Sequence, residues 1–263
     1  MTAVRPCGIR LAAATAALLG AILSHPAEAR AREPERLSAD LTDPTARAQA
    51  QLDVLEGMVH SGLVTEALQI ATQLRAGGLK STRLDLLQAE AMHAQGMSGQ
   101  AADMLRRVVK KEPRNAPAWS VLGIVLSDLK DRDGAMVALE RAHRLVPTDP
   151  KVLNNLGYLE MAKGQNRRAI ELFEAAIVQD PSSPRTRNNL GFALARLERD
   201  TDALAAFRAA GSEADARYNM GVACELRGDI ASALTNYQAA VVASSKHAPA
   251  SSALARLLHT ESR

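Results

Sequence analysis

Small residues recur along this chain at a fixed step of 34 residues. Alanine, glycine and proline each keep the step, although the three differ in backbone behaviour. The recurring residues are Ala101, Ala135, Ala169 and Ala203; Gly123, Gly157 and Gly191; and Pro113, Pro147 and Pro181. One long period shared by three residue types predicts a solenoid of helical hairpins. Such a fold favours a binding function over catalysis.

The composition agrees with thin helices that approach one another closely. Phe, Trp and Tyr together make only 3% of the 263 residues, which argues against a β-sandwich. The formal net charge of +3 is slight for this length, and basic residues are interleaved with acidic ones. Nucleic-acid binding would need basic residues clustered on one face, so no nucleic-acid partner is expected.

The N-terminal segment, residues 1–29, has the pattern of a secretory signal peptide. Two arginines precede an uncharged run rich in alanine and leucine over residues 11–24, and small residues follow at Ala27 and Ala29. This run is shorter than the roughly 20 apolar residues that span a bilayer. We therefore predict a periplasmic protein cleaved after Ala29, with cleavage after Ala31 or a retained membrane anchor as alternatives.

The rest of the chain divides by periodicity into three segments. Residues 30–47 mix charges with prolines, show no helical period and are predicted to be a flexible spacer. Residues 48–248 carry the repeats, and residues 249–263 are predicted to be a capping helix and tail. Loss of the signal would leave Cys224 as the single cysteine, so no intramolecular disulfide is expected.

The unit that begins at Ala116 shows how one repeat is built. Apolar and small residues follow helical spacing on two successive segments, at Trp119, Leu122, Gly123 and Leu126 and then at Ala135, Leu139 and Ala142. Gly123 and Ala135 have little or no side chain, so the two helices can cross closely there. Pro147 lacks a backbone N–H and ends the second helix.

This pattern resembles the tetratricopeptide repeat, a helical hairpin of 34 residues. Later units match at the same positions, namely Leu153, Leu156, Gly157, Ala169, Phe173 and Ala176; Leu190, Gly191, Leu194, Ala203, Phe207 and Ala210; and Met220, Gly221, Cys224, Ala233, Tyr237 and Ala240. The resemblance implies an all-α fold: a right-handed superhelical solenoid of about six repeats with a C-terminal capping helix.

The period changes once near the end of the array. From Gly191 to Gly221 the step is 30 residues, and the loss of four residues removes about one helical turn. We therefore expect the second helix to be shortened near residues 210–214 within a continuous array. After the last repeat, Leu254, Leu257 and Leu258 form one apolar stripe that is expected to cover the final hairpin.

The resemblance also implies a binding surface. In tetratricopeptide arrays the first helices line a concave groove that holds extended peptides or partner helices, and the second, fifth, sixth, ninth and thirteenth residues of each unit face it. In this chain these positions give the candidate peptide- or partner-binding residues Lys151, Asn154, Asn155, Tyr158, Arg185, Asn188, Asn189, Phe192, Tyr218 and Asn219.

Asn155, Asn189 and Asn219 form a ladder at one position of successive units. A side-chain amide both donates and accepts, so the ladder could bind the N–H and C=O groups of an extended peptide. The aromatic candidates would contact apolar side chains, and the basic candidates would attract a carboxylate. Alternatively, the amides cap or space adjacent helices.

No motif for catalysis or cofactor binding accompanies the repeats. The sequence has no G-x-S-x-G motif, Cys/His arrangement or phosphate-binding glycine loop, and its six histidines form no pair at metal-ligand spacing. We therefore expect no enzyme activity, no catalytic residue, no metal and no cofactor. The expected partner is a protein or a peptide.

A signal followed by repeats resembles the tetratricopeptide components of bacterial envelope, secretion and pilus machines. One such type is the tight-adherence (Flp) pilus assembly lipoprotein, whose lipidated cysteine after the signal is missing here. The predicted function is an exported scaffold for assembly of such a machine, with membrane association only through partners or an uncleaved signal. The alternatives are a self-associating structural solenoid and an accessory subunit that regulates a periplasmic hydrolase.

Overall fold

The computed structural model describes residues 43–261, which form helices with no β-strand among them. The all-α prediction is therefore confirmed for this part of the chain. The helices are α1 (Pro44–His60), α2 (Val64–Ala76), α3 (Thr82–Ala94), α4 (Ser98–Lys111), α5 (Ala116–Asp128), α6 (Arg132–Leu145), α7 (Pro150–Ala162), α8 (Asn166–Gln179), α9 (Pro184–Ala195), α10 (Asp200–Ala210), α11 (Glu213–Arg227), α12 (Ile230–Ala243) and α13 (Ala248–Glu261). The predicted signal peptide and residues 30–42 of the predicted spacer lie outside the described residues.

The described helices form two compact units, which divide within α4 after Val108. In the first unit, α1, α2 and α3 pack around Leu55 and Leu84, both fully buried. In the second unit, one apolar cluster runs from α7 to α13. None of the helices in residues 43–261 combines the length and the apolar character that a membrane span requires.

Capping side chains and prolines determine where several helices begin. The carboxylate of Asp149 accepts the N–H groups of the first turn of α7, and Pro150 occupies its first position, where a missing N–H costs nothing. Asp43 and Pro44 repeat this arrangement at the start of α1. The predicted spacer boundary is therefore wrong for residues 44–47, which are helical, because Pro44 begins a helix instead of preventing one.

Each hairpin of the second unit closes over a glycine. A Cβ atom placed on this glycine would lie only 2.5–2.6 Å from a large side chain of the paired helix. The pairs are Gly123 with Leu139, Gly157 with Phe173, Gly191 with Phe207, and Gly221 with Tyr237. The close helix crossing predicted from the 34-residue period is thus present in four successive hairpins.

The contracted step shortens one helix, as predicted. α10 has 11 residues, whereas α8 has 14, and only Gly211 and Ser212 separate α10 from α11. Arg208 crosses this joint and binds Glu213 through two N–H groups, at 2.6 and 2.8 Å. Arg217 binds the same carboxylate at 2.9 Å. An ion-pair cluster therefore spans the place where four residues are missing.

This cluster should make part of the stability depend on pH. The hydrogen bond from Arg208 lowers the pKa of Glu213 from 4.5 to about 2, so its contribution is complete above pH 4.5 and is lost as the pH falls towards 2. Because the carboxylate is 44% exposed, we expect about 1 kcal/mol or less. Urea unfolding of the wild type and Glu213→Gln should differ at pH 7 and converge near pH 2. A constant difference would contradict this assignment.

Candidate peptide-binding surface

Direct amide–amide hydrogen bonds join the first helices of neighbouring hairpins. Asn189 Nδ2 in α9 donates to Asn154 Oδ1 in α7 at 2.9 Å. Asn219 Nδ2 in α11 donates to Asn188 Oδ1 in α9 at 3.0 Å. The two bonds connect the same positions of successive units, so α7, α9 and α11 lie side by side in one regular arrangement.

These bonds use part of the hydrogen-bonding capacity of the asparagines. Asn154 is only 6% exposed and its Oδ1 accepts from Asn189, so it positions its neighbour, while its direct contact with a ligand stays a prediction. The Nδ2 atoms of Asn189 and Asn219 bond to adjacent helices, which agrees with the spacing alternative. Their Oδ1 atoms form no hydrogen bond within the described residues, and neither does the side chain of half-buried Asn155. The surface therefore keeps amide groups for a ligand.

Two arginines join the same helices nearer their C-terminal ends. Arg196 Nη1 donates to the carbonyl oxygen of Met161, at the end of α7, at 2.7 Å. Arg227 Nη1 donates to the carbonyl oxygen of Ala195, at the end of α9, at 3.0 Å. Each carbonyl also accepts a backbone N–H of the turn that follows its helix, from Gly164 and Glu198, at 3.1 and 3.0 Å. The arginines therefore fix the spacing of the first helices at a second level.

Sequence reasoning missed these arginine contacts. Arg227 also makes a bidentate pair with Asp200, at 2.7 and 2.8 Å, and this carboxylate raises the pKa of the guanidinium. Arg196 is the thirteenth residue of its unit, whereas Arg227 is the fourteenth of the next, so no constant period marks the pair. The available signal is a basic residue at the C-terminal end of successive first helices.

An apolar row crosses the first helices between these two levels of hydrogen bonds. It consists of the ninth residue of four successive units, Ile124, Tyr158, Phe192 and Val222. Tyr158 is 49% exposed and the other three are partly buried. Phe192 packs edge-on against Phe207, with ring centroids 5.0 Å apart. The amides and the arginines are about seven residues apart along each helix, so the row lies in a strip about 10 Å wide.

Tyr218 lies in a different environment from the other aromatic candidates. Its ring is 5.8 Å from that of Tyr237 and 5.3 Å from that of His247, and it is partly buried. His247 Nδ1 accepts the N–H of Ala250 at the start of α13, and its Nε2 lies 3.3 Å from Asp215 Oδ1. The predicted binding residue Tyr218 therefore also packs against the histidine that caps α13.

Two basic candidates lie along the N-terminal edge of the surface, about two helical turns before the apolar row. Lys151 and Arg185, the second residues of successive units, are exposed. Neither side chain forms a hydrogen bond or an ion pair within the described residues. Since each charge lacks a neutralising partner there, this edge can attract an anionic group.

The described residues offer little for covalent or metal chemistry. Burial raises the pKa of Cys224, so its thiol stays protonated and unreactive. Within residues 43–261, no group of three or more His, Cys, Asp and Glu side chains is placed to hold a metal ion. The partly exposed amides and aromatic rings and the exposed cations of the first helices are suited to binding a polypeptide.

Comparison with known proteins supports this architecture. The family model described as "Tetratricopeptide repeat" matches residues 86–150 and 154–213. The mouse protein O-mannosyl-transferase TMTC1 is 30% identical over 102 residues, which make 37% of this chain. The chain spans only 11% of the length of that relative, so the similarity concerns one segment of a much larger protein.

Solved structures show the same fold at low sequence identity. YrrB, described as a TPR protein with an unusual peptide-binding site, aligns with a TM-score of 0.55 and 19% identity, over 73% of this chain and 98% of its own. MamA from Desulfovibrio magneticus RS-1 aligns with a TM-score of 0.52 and 21% identity, over 62% and 92%. The paired helices, the glycine-centred crossings and these matches show that the chain has the tetratricopeptide repeat fold and that residues 86–150 and 154–213 belong to that repeat family.

Proposed function

We propose that this protein is a non-enzymatic scaffold that binds an extended segment of a partner protein across α7, α9 and α11. One observation carries the proposal: along the first helices, cations without a partner among the described residues, amide groups with free hydrogen-bonding capacity and the half-exposed ring of Tyr158 follow one another on one surface. Apolar, polar and charged groups of a polypeptide can therefore all be bound on one surface. The likeness in fold to a repeat protein described as having a peptide-binding site supports this proposal.

We further propose that the protein acts in the cell envelope after export to the periplasm. The support is the sequence pattern of residues 1–29 together with a fold suited to holding partner proteins. Assembly of a secretion or pilus machine is the process that this combination favours. The O-mannosyl-transferase activity named for the mouse relative is not proposed here, because the similarity spans only 11% of that protein.

Photocrosslinking in the producing cell tests the binding surface. A photoreactive residue in place of Tyr158 should link to a specific partner, whereas one in place of Val178, which is 73% exposed on α8, should not. Adding Asn155→Ala should reduce the link several-fold, since each lost hydrogen bond weakens binding by about 0.5–1.5 kcal/mol. The midpoint of thermal unfolding should move by no more than a few degrees, because this side-chain amide forms no hydrogen bond within residues 43–261.

The two crosslinking positions also define the result that would contradict the proposal. Both side chains are exposed apolar groups on helices of the same unit, so they control for expression and for chance encounters. Equal products at both positions, or products at position 178 alone, would show that the first helices are not the binding surface.

A further inference from the structure

We propose that the bound segment adopts a polyproline II conformation, with an apolar residue at every third position and acidic residues along a second face. This inference rests on the proposed function and specifies its partner. The chemistry is that of an acidic, proline-containing stretch of a partner protein, lying across α7, α9 and α11.

The spacing of the apolar row matches the repeat of a polyproline II helix. Ile124, Tyr158, Phe192 and Val222 occur once per first helix, and the amide bonds show that α7, α9 and α11, which carry the last three, pack directly. Directly packed helices lie about 8–10 Å apart. A polyproline II helix has three residues per turn and rises about 3.1 Å per residue, so it presents one face every 9 Å or so. One apolar residue in three then contacts each member of the row.

A β-strand does not match this spacing. Its side chains return to the same face after two residues, about 6.7 Å. Against a step of 8–10 Å, the strand falls behind by about 2 Å per helix and loses register after two contacts. An extended ligand of this kind could use only part of the row.

The free amide atoms argue against an α-helical ligand. A helix could match the spacing through every seventh residue, at about 10.5 Å, but its backbone N–H and C=O groups already bond within the helix. Asn155 and the Oδ1 atoms of Asn189 and Asn219 would then find no backbone partner. A polyproline II segment has no internal hydrogen bonds, so its free backbone groups can pair with these amides.

The cations of the binding surface determine which side chains the second face of the bound segment carries. Lys151 and Arg185 lie on neighbouring helices along the N-terminal edge of the surface, about 10 Å before the row member of the same helix, and both are exposed and without a partner among residues 43–261. In a helix of three residues per turn, each position of the triplet runs along its own face. An acidic residue repeated in every triplet therefore follows the basic edge while the apolar residue follows the row.

Fluorescence anisotropy with labelled peptides tests the proposal on the full chain. The probe is the 12-residue peptide (Pro-Glu-Leu)4, which is about 37 Å long and spans the row. Its control, Pro-Leu-Glu-Leu-Pro-Leu-Glu-Leu-Pro-Glu-Pro-Glu, has the same composition with leucines at alternate positions. A third peptide is a helix with leucine at every seventh residue. We expect the triplet peptide to bind at least about tenfold more tightly than either, since each broken leucine contact weakens binding.

Substitutions on the first helices test whether the preference for the triplet peptide arises from this surface. Tyr158→Ala should weaken the triplet peptide about fivefold or more, whereas the exposed control Val178→Ala should leave its affinity within about twofold. Lys151→Ala combined with Arg185→Ala should weaken it and flatten its dependence on salt. Thermal unfolding of each variant confirms that the fold is intact.

The outcomes separate this inference from the proposed function. If the alternating or the helical peptide binds most tightly and Tyr158→Ala weakens that binding, the three-residue period is wrong although the binding surface is correct. The inference would also be wrong if none of the three peptides shows binding that Tyr158→Ala weakens. The function itself is judged separately by the cellular crosslink at position 158.

Discussion

Replacing Phe207 with alanine should lower the free energy of unfolding by about 3–5 kcal/mol. The ring is almost completely buried, lies against the backbone of Gly191 and contacts the ring of Phe192 edge-on. Its removal leaves a cavity at the crossing of α9 and α10, where the backbones are already in close approach and cannot collapse further. Urea unfolding followed by circular dichroism measures the loss. The control Val242→Ala, at a side chain 81% exposed, should change stability by less than about 0.5 kcal/mol.

The glycine on the other side of the crossing supplies a sharper test. Gly191→Ala alone should cost about 1–3 kcal/mol, because the new methyl group would lie 2.5 Å from Phe207. In the double variant with Phe207→Ala the methyl group enters the vacated space. The combined loss should therefore be smaller than the sum of the single losses by about 1 kcal/mol or more. Strict additivity would show that the two residues do not share this space.

The repeat architecture could be predicted because its constraint is steric and falls on residue types. Gly123 and Gly191 must stay small wherever paired helices touch, so each crossing leaves a mark in the sequence at the same step. The shortened α10 was predictable for the same reason: removing about one helical turn nearly preserves the phase of the crossing residues.

The hydrogen bonds of the surface could not be predicted from periodicity. Side chains at the fifth and sixth positions share a helix face, but the approach of the neighbouring helix decides which of them meet. Asn154 thus becomes buried and accepts from Asn189, whereas the side chain of Asn155 forms no hydrogen bond to any part of the chain that the structure describes. Sequence patterns place residues on a face, while the bonds between faces depend on distances set by packing.

The turns within the hairpins show a related limit. Gly164 and Gly228 have positive φ values of 80° and 86°, as the sharp turn after a first helix requires. Lys130 and Glu198 adopt the same left-handed region in the corresponding turns, with φ of 65° and 59°. Because lysine and glutamate rarely adopt this conformation, local preference alone would not place a turn there. The packing of the flanking helices imposes it.

In the last helix, α13, two adjacent leucines lie in opposite environments, and replacing the buried one should have the second large effect on the free energy of unfolding. The predicted stripe of Leu254, Leu257 and Leu258 is divided: Leu257 is 5% exposed, Leu258 is 52% exposed, and Leu254 is intermediate. Leu257→Ala should lower the free energy of unfolding by about 2–5 kcal/mol, since the leucine packs in the cluster that contains Tyr237. Leu258→Ala should change it by less than about 0.5 kcal/mol. Urea unfolding of the two variants provides a matched comparison within one helix.

The contacts around Leu257 explain why its loss should affect more than one helical turn. Arg256 makes a bidentate pair with Glu225 of α11, at 2.7 and 2.8 Å, and the hydroxyl of Tyr237 in α12 donates to the same carboxylate at 2.8 Å. Loosening α13 therefore disturbs both helices of the preceding hairpin. Similar losses for the two leucine variants would contradict this assignment.

Light scattering then tests the self-associating alternative: if Leu258 contacts a second copy, Leu258→Ala should lower the molar mass in solution while the stability of the fold stays unchanged.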